Sequence, residues 1–308
     1  MAFLNALPGA VAQGLIWGLM AIGVYISYKI LDIADLTVDG SICTGACVCA
    51  VLIGMGVPAW VSVLVALLAG AVTGVITGLL HTKLGIPSIL AGILTQLMLY
   101  TVNLLTLNGK SLLAIDPRAN QLLVNMSDNT GSVISLVIIA AITIFALYKF
   151  FYTEVGLTLK STGDNPDMSR AQGVDVNRNK VIGLAIANGI VAMAGALLAQ
   201  YKGSANINDG RGAIVIGLAA IFIGLSISLK IKPNFVVSLI GVIGGGIIYY
   251  IVYNVVILLG LKTDYLKMLS ALIVALFLGI PYLKATYFTK YKDLHPSQIT
   301  TPGGDGNA

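Results

Sequence analysis

TEVGLTLKSTGDNPDMSRAQGVDVNRNK, residues 153–180, is the longest polar stretch in a chain that is otherwise apolar almost throughout. Strongly apolar segments flank it on both sides. Charges, a proline and an unpaired backbone cannot rest in hydrocarbon, so this stretch reads as a loop in water between two membrane spans. Its basic residues indicate the side of the membrane it faces. It is the place where a membrane protein of this kind meets a soluble partner.

The rest of the chain fits that reading. Of its 308 residues 57% are hydrophobic and 10% charged, with a mean hydropathy of +0.92. Soluble domains carry roughly 25% charged residues. At about 20 apolar residues per helical crossing, spans are predicted at 8–28, 38–55, 58–82, 87–107, 131–151, 181–201, 212–229, 234–258 and 265–284. The fold class is therefore all-α, a polytopic helical membrane protein of about nine transmembrane helices. Residues 1–284 form one transmembrane domain around the 152–180 loop, and 285–308 form a tail. Pro58, Pro87 and Pro233 begin spans, where a missing N–H does little harm. No basic n-region or small-residue cleavage site precedes the first span, which is expected to be retained.

Orientation follows from charge. With 152–180 in the cytoplasm, Lys29, Lys83, Lys149, Lys160, Arg170, Arg178, Lys180, Lys230, Lys232, Lys284, Lys290 and Lys292 lie inside. Lys110, Arg118, Lys202, Arg211, Lys262 and Lys267 lie outside. The bias is two to one inward, as the positive-inside rule requires. It puts the N-terminus outside and the C-terminus inside. The weakest point is the segment 30–39, around LDIADLTVDG, which also reads as a broken or re-entrant element.

The net charge of +5 is dispersed over loops, which argues against nucleic acid as a partner. Cys43, Cys47 and Cys49 share one apolar segment with no nearby histidine, so they read as packing residues and no metal is expected. No GxxxxGK[ST], HExxH, CxxC or GxSxG pattern occurs, so the chain is not expected to be an enzyme or to hold a cofactor. Gly70, Gly74 and Gly78, like Gly14 and Gly18, make small-residue faces for helix packing. Gly244, Gly245 and Gly246 invite a bend. Segments 85–105 and 231–259 resemble each other faintly, each entering on a proline and ending in Tyr and Asn, as internal duplication would produce.

Few polar side chains interrupt the spans. Two readings stand for Asp39, a helix cap or a carboxylate facing an aqueous path and holding a substrate ammonium. Gln96, Asn103, Asn188, Gln200 and Asn254 are either interhelical hydrogen-bond glue or part of a polar path. Asp39, Gln96, Tyr100, Asn103 and Asn188 are the candidate substrate-path residues.

Residues 162–203, TGDNPDMSRAQGVDVNRNKVIGLAIANGIVAMAGALLAQYKG, resemble the signature region of ABC-importer permeases of the branched-chain amino acid and ribose class. LTVDGSICTGA, 36–46, resembles the early motif of that class. With IPSILAGIL and IVIGLAAIFIG, it is similar to permeases paired with a tryptophan/tyrosine-type substrate-binding lipoprotein. The resemblance implies a bacterial cytoplasmic-membrane importer for a small solute, an aromatic or related amino acid. It implies two permease copies, cytoplasmic ATPases that bind ATP and Mg, and an external binding lipoprotein. It also implies a coupling helix at Thr162, Gly163, Asp164, Asn165, Pro166, Met168, Ala171, Gly173 and Val174, with Arg170 projecting beside Met168. Asn165–Pro166 would open this helix, with Asp164 able to cap it. The chain departs from the family at Leu225, where an acidic residue is usual. The alternative is a secondary transporter or channel acting alone, for which neither a coupling-ion site nor a continuous pore lining is evident.

Overall fold

The computed structural model describes residues 2–116, 122–228 and 234–258, with isolated positions between 268 and 279. Its helices are α1 (Ala2–Tyr25), α2 (Val38–Gly54), α3 (Ala59–Thr82), α4 (Ser88–Thr106), α5 (Asn129–Phe151), α6 (Glu154–Asp164), α7 (Pro166–Ala171), α8 (Val176–Lys202), α9 (Ala213–Ser228) and α10 (Phe235–Leu258). Eight of the predicted spans coincide with described helices; the ninth, 265–284, lies outside the described residues apart from the isolated positions. Six helices are long and apolar enough to cross a membrane, whereas α2 and α9 are shorter apolar helices. The two strands named among the described residues form a small antiparallel ribbon, β1 (Leu112–Ala114) on β2 (Ser204–Asn206).

Helix α8 is the axis of the bundle. Every residue from Ala187 to Tyr201 is buried, and alanine and glycine dominate that run. Small side chains let neighbouring backbones approach, which is how helices associate in lipid. The Gly70, Gly74 and Gly78 face of α3 lies against Asn188, Leu184 and Val181 of α8. Gly14 and Gly18 of α1 lie against Ile247 and Ile243 of α10. Both glycine faces are thus spent inside one chain. The glycine run 244–246 does not interrupt α10; Gly245 meets the Ala220 carbonyl and Gly246 meets Gly14 and Gly18, so the missing side chains serve close approach instead. The contact pattern pairs α3 on α8 with α1 on α10.

Two crossings are broken. The first helix ends in a π-helical turn, Ile26–Ile30, and Asp32 follows with a left-handed φ of 54°. Residues 31–37 are not helical, and α2 begins only where Asp35 and Ser41 reach Asn188, near the middle of α8. On the other side of the bundle, the chain leaves α8 at Gly203 (φ 67°), forms β2, and returns inward so that Gly210 rests on the Asp39 carbonyl and Cys43. There α9 begins. The N-termini of two short helices therefore face one another in the interior, an arrangement that places positive helix ends and free backbone groups around a cavity.

The polar stretch 153–180 is mostly helical and not a loop. Thr153 caps α6 by accepting from Gly156 N, and Asn165 caps α7 by accepting from Met168 N at 2.9 Å with Pro166 in the first turn. Asp164 ends α6 and leaves the capping to Asn165. Asp175 accepts from Arg178 N at 3.0 Å, which starts α8 five residues before the predicted span.

Candidate functional site

Asp35 and Asp39 stand at the two facing helix starts. Asp35 is buried, with Oδ1 accepting from Thr37 N at 2.9 Å and Oδ2 from Asn188 Nδ2 at 2.7 Å. Asn188 Oδ1 accepts from Ser41 Oγ at 2.7 Å, and Ser41 Oγ lies 2.7 Å from Thr73 Oγ1. Thr37 Oγ1 lies 2.8 Å from Thr77 Oγ1, which reaches Thr95 Oγ1 at 3.0 Å. This hydroxyl and amide ladder ties α2, α3, α4 and α8 together around one carboxylate. All seven side chains are buried, so each hydrogen bond replaces water that the interior does not supply.

Asp39 lies one turn further along and does something else. It sits in the first turn of α2, yet it caps α9: Oδ2 accepts from Gly212 N at 2.8 Å and Oδ1 from Ile214 N at 2.9 Å. A carboxylate on a helix N-terminus is favourable. The cap expectation therefore applies to a neighbouring helix, 173 and 175 residues away in sequence. Asp39 also lines a cavity of about 340 Å³ with Gly40, Cys43, Gln96, Leu97, Tyr100, Asn103, Ile207 and Arg211. Asn103 is 2% exposed and its Oδ1 accepts no hydrogen bond among the described residues.

Four of the five candidate path residues, Asp39, Gln96, Tyr100 and Asn103, thus converge on one cavity. Asn188 does not join them; it belongs to the sealed ladder around Asp35. Gln200 is glue as well, with Oε1 accepting from Leu123 N at 3.1 Å and Nε2 reaching Ala59 O at 3.4 Å. Sequence reasoning missed Asp35 and Arg211. Asp35 lay within the segment already marked as broken, and a carboxylate in a broken crossing was its signal. Arg211 counted only as an outside charge, because nothing local shows that the NDGRG turn folds back against α2.

The residues matched to a coupling helix divide into two sets. Thr162 is buried, donating to Thr158 O at 2.7 Å and accepting from Asn179 Nδ2 at 3.0 Å. Gly163 packs on the backbone of Ile30 and Leu31, leaving no room for a side chain. These two fasten the segment to α8 and to the π-helical turn. Asp164, Asn165, Met168, Arg170, Ala171 and Gly173 are exposed, Pro166 and Val174 half-buried, and Arg170 lies 3.3 Å from Asp167 on the surface. The aromatic residues mostly pack: Trp17 stacks on Tyr250 at 5.9 Å, and Tyr249 and Tyr253 adjoin Tyr250.

The family described as branched-chain amino acid transport system, permease component, matches residues 7–279. The tyrosine transport system permease protein of Clostridioides difficile is 35% identical over 280 residues, covering 90% of this chain and 91% of that protein. An uncharacterized protein of Rickettsia prowazekii is 31% identical over 283 residues, covering 91% and 99%. The ribose import permease protein of Escherichia coli is 25% identical over 275 residues, covering 89% and 84%. No solved structure matches the chain.

Proposed function

The chain belongs to the permease-component family of branched-chain amino acid transport systems, a multi-pass membrane subunit of an ABC importer, and from that premise we propose that it carries an amino acid inward on ATP hydrolysed by a partner. Two copies of the chain assemble with two cytoplasmic ATPases that bind ATP and Mg, and with an external binding lipoprotein. The N-terminus lies outside, and the polar 153–180 segment and C-terminal tail lie inside the bacterial cytoplasmic membrane. The tyrosine permease likeness supports an aromatic or related amino acid as the solute. The path passes Asp39, Gln96, Tyr100 and Asn103.

One observation carries this reading. Helices α6 and α7 expose Met168 and Arg170 on one side, while Thr162 and Gly163 on the other are fastened to α8 and to the end of the first crossing. A pull on that handle moves two spanning elements rigidly. ATP binding would act by favouring one of the two bundle states over the other. The charge reversal Arg170→Asp together with Met168→Glu is expected to abolish co-purification of the ATPase and uptake, with the monodisperse, folded permease retained. Undiminished ATPase capture by that double variant would end the assignment of α6–α7 as the handle.

A further inference from the structure

The cavity between α2, α4 and the 207–211 turn carries three groups with unused hydrogen-bonding or charge capacity, and they differ in sign. Asn103 Oδ1 is buried and accepts nothing among the described residues. Leaving such an oxygen unpaired is costly, and a donor arriving in the cavity relieves that cost. Asp39 spends one lone pair of each oxygen on Gly212 N and Ile214 N, and a carboxylate offers about four acceptor positions. Arg211 lines the same cavity, is exposed, and makes no ion pair among the described residues. Leu97 and Tyr100 supply an apolar and aromatic wall.

A ligand that satisfies all three must bring N–H donors with positive charge and an anion on the same small molecule. A sugar would meet Asn103 but leave Arg211 without a counter-ion. A simple anion would be repelled by Asp39. Resting on the import reading above, we infer that the cavity is a transit site for the head group of a zwitterionic α-amino acid. Asn103 Oδ1 and Asp39 receive the ammonium, Arg211 pairs with the carboxylate, and the side chain lies along Leu97 and Tyr100. The volume, about 340 Å³, falls in the range of small-molecule sites. Charge-assisted bonds to Arg are the usual means of fixing a carboxylate.

The test uses the full chain in lipid nanodiscs without any binding protein, read by ligand-observed NMR. The probes are L-tyrosine, tyrosinamide (no carboxylate), the des-amino analogue of tyrosine (no ammonium) and D-ribose. L-tyrosine is expected to bind best and D-ribose least. Arg211→Gln is expected to erase a roughly tenfold preference for L-tyrosine over tyrosinamide, and Arg211→Lys to restore part of it. Asn103→Leu is expected to reduce the preference over the des-amino analogue several-fold. Equal binding of all four probes, or unchanged preferences in Arg211→Gln and Asn103→Leu, would overturn the site. Amino-acid uptake by the assembled wild-type importer separates the two failures. If uptake is present while the preferences ignore these residues, the transit site alone fails; if uptake of every amino acid is absent, the import reading fails with it.

Discussion

Asp35 and Asp39 are one helical turn apart in sequence, and each serves the start of a short helix deep in the bundle. Asp35 is closed in by Thr37, Asn188 and the hydroxyls behind them, so its surroundings leave no room for a visitor. Asp39 is held on one side by the first turn of α9 and open on the other to a cavity with an amide oxygen that accepts no hydrogen bond, and an arginine that makes no ion pair, among the described residues. The same side chain thus works as a structural keystone at one position and as part of a polar chamber at the next. Satisfaction of neighbours, and not burial alone, separates the two. A polar group in hydrocarbon whose partners are complete rigidifies its surroundings. One whose partners are incomplete invites a ligand.

The largest effect should follow from breaking the closed site. Asp35→Leu leaves Thr37 N–H and the Asn188 amide without their acceptor, a loss of about 3 kcal/mol. The thermal midpoint of the purified permease is expected to fall well below that of the wild type, with assembly and uptake lost alongside it. Asn188→Leu should act similarly, because it removes partners of both Asp35 and Ser41. A wild-type thermal midpoint in Asp35→Leu would contradict the keystone role outright.

At the open site the two readouts should come apart. Asp39→Asn keeps one acceptor for the α9 backbone and removes the charge, which at a helix N-terminus is worth about 0.3–1 kcal/mol. The thermal midpoint should therefore move little. Uptake driven by the loaded binding protein is expected to drop roughly tenfold, because the ammonium loses its charged partner. Should uptake persist at the wild-type rate, Asp39 is a cap and nothing more, and the contrast between the two aspartates dissolves.

The degree to which this was legible varies with the range of the interaction. Spans of pure apolar character, their proline starts and the small-residue faces follow from local composition, and α3 with its Gly70, Gly74 and Gly78 face is found where the pattern puts it. Gln96, Tyr100 and Asn103 repeat at helical spacing on α4, so their shared face could be read from one segment. Arg211 could not, because its position depends on a turn that folds back onto a helix some 170 residues earlier in the chain. Asn188 could not be sorted between its two readings for the same reason: a lone amide in a span looks alike whether it lines a path or completes a network. Only Ser41 and Asp35, on a different crossing, decide it. A helix opened by Asn165–Pro166 was expected inside 153–180, whereas α6 and the early start of α8 were hidden by the charge of that stretch, although Thr153 and Asp175 stand where N-caps belong.

The smallest effect tests how far the closed site extends. Its outer end is the 3.0 Å contact between Thr77 Oγ1 on α3 and Thr95 Oγ1 on α4. Each hydroxyl also lies within reach of a carbonyl in its own helix, Thr73 O at 3.2 Å and Ala91 O at 3.0 Å. Breaking the interhelical contact therefore strands neither group, unlike the loss of Asp35. Interhelical hydrogen bonds in membranes average about 0.6 kcal/mol because alternatives of this kind exist. A double-mutant cycle on Thr77→Val and Thr95→Val, followed by denaturant unfolding in mixed micelles, should return a coupling near that value. A coupling of about 2 kcal/mol or more would mean that α4 is locked to the Asp35 network as firmly as α8 is. In that case the wall bearing Gln96, Tyr100 and Asn103 could not shift independently of the keystone, and the open chamber would be a rigid extension of the closed one.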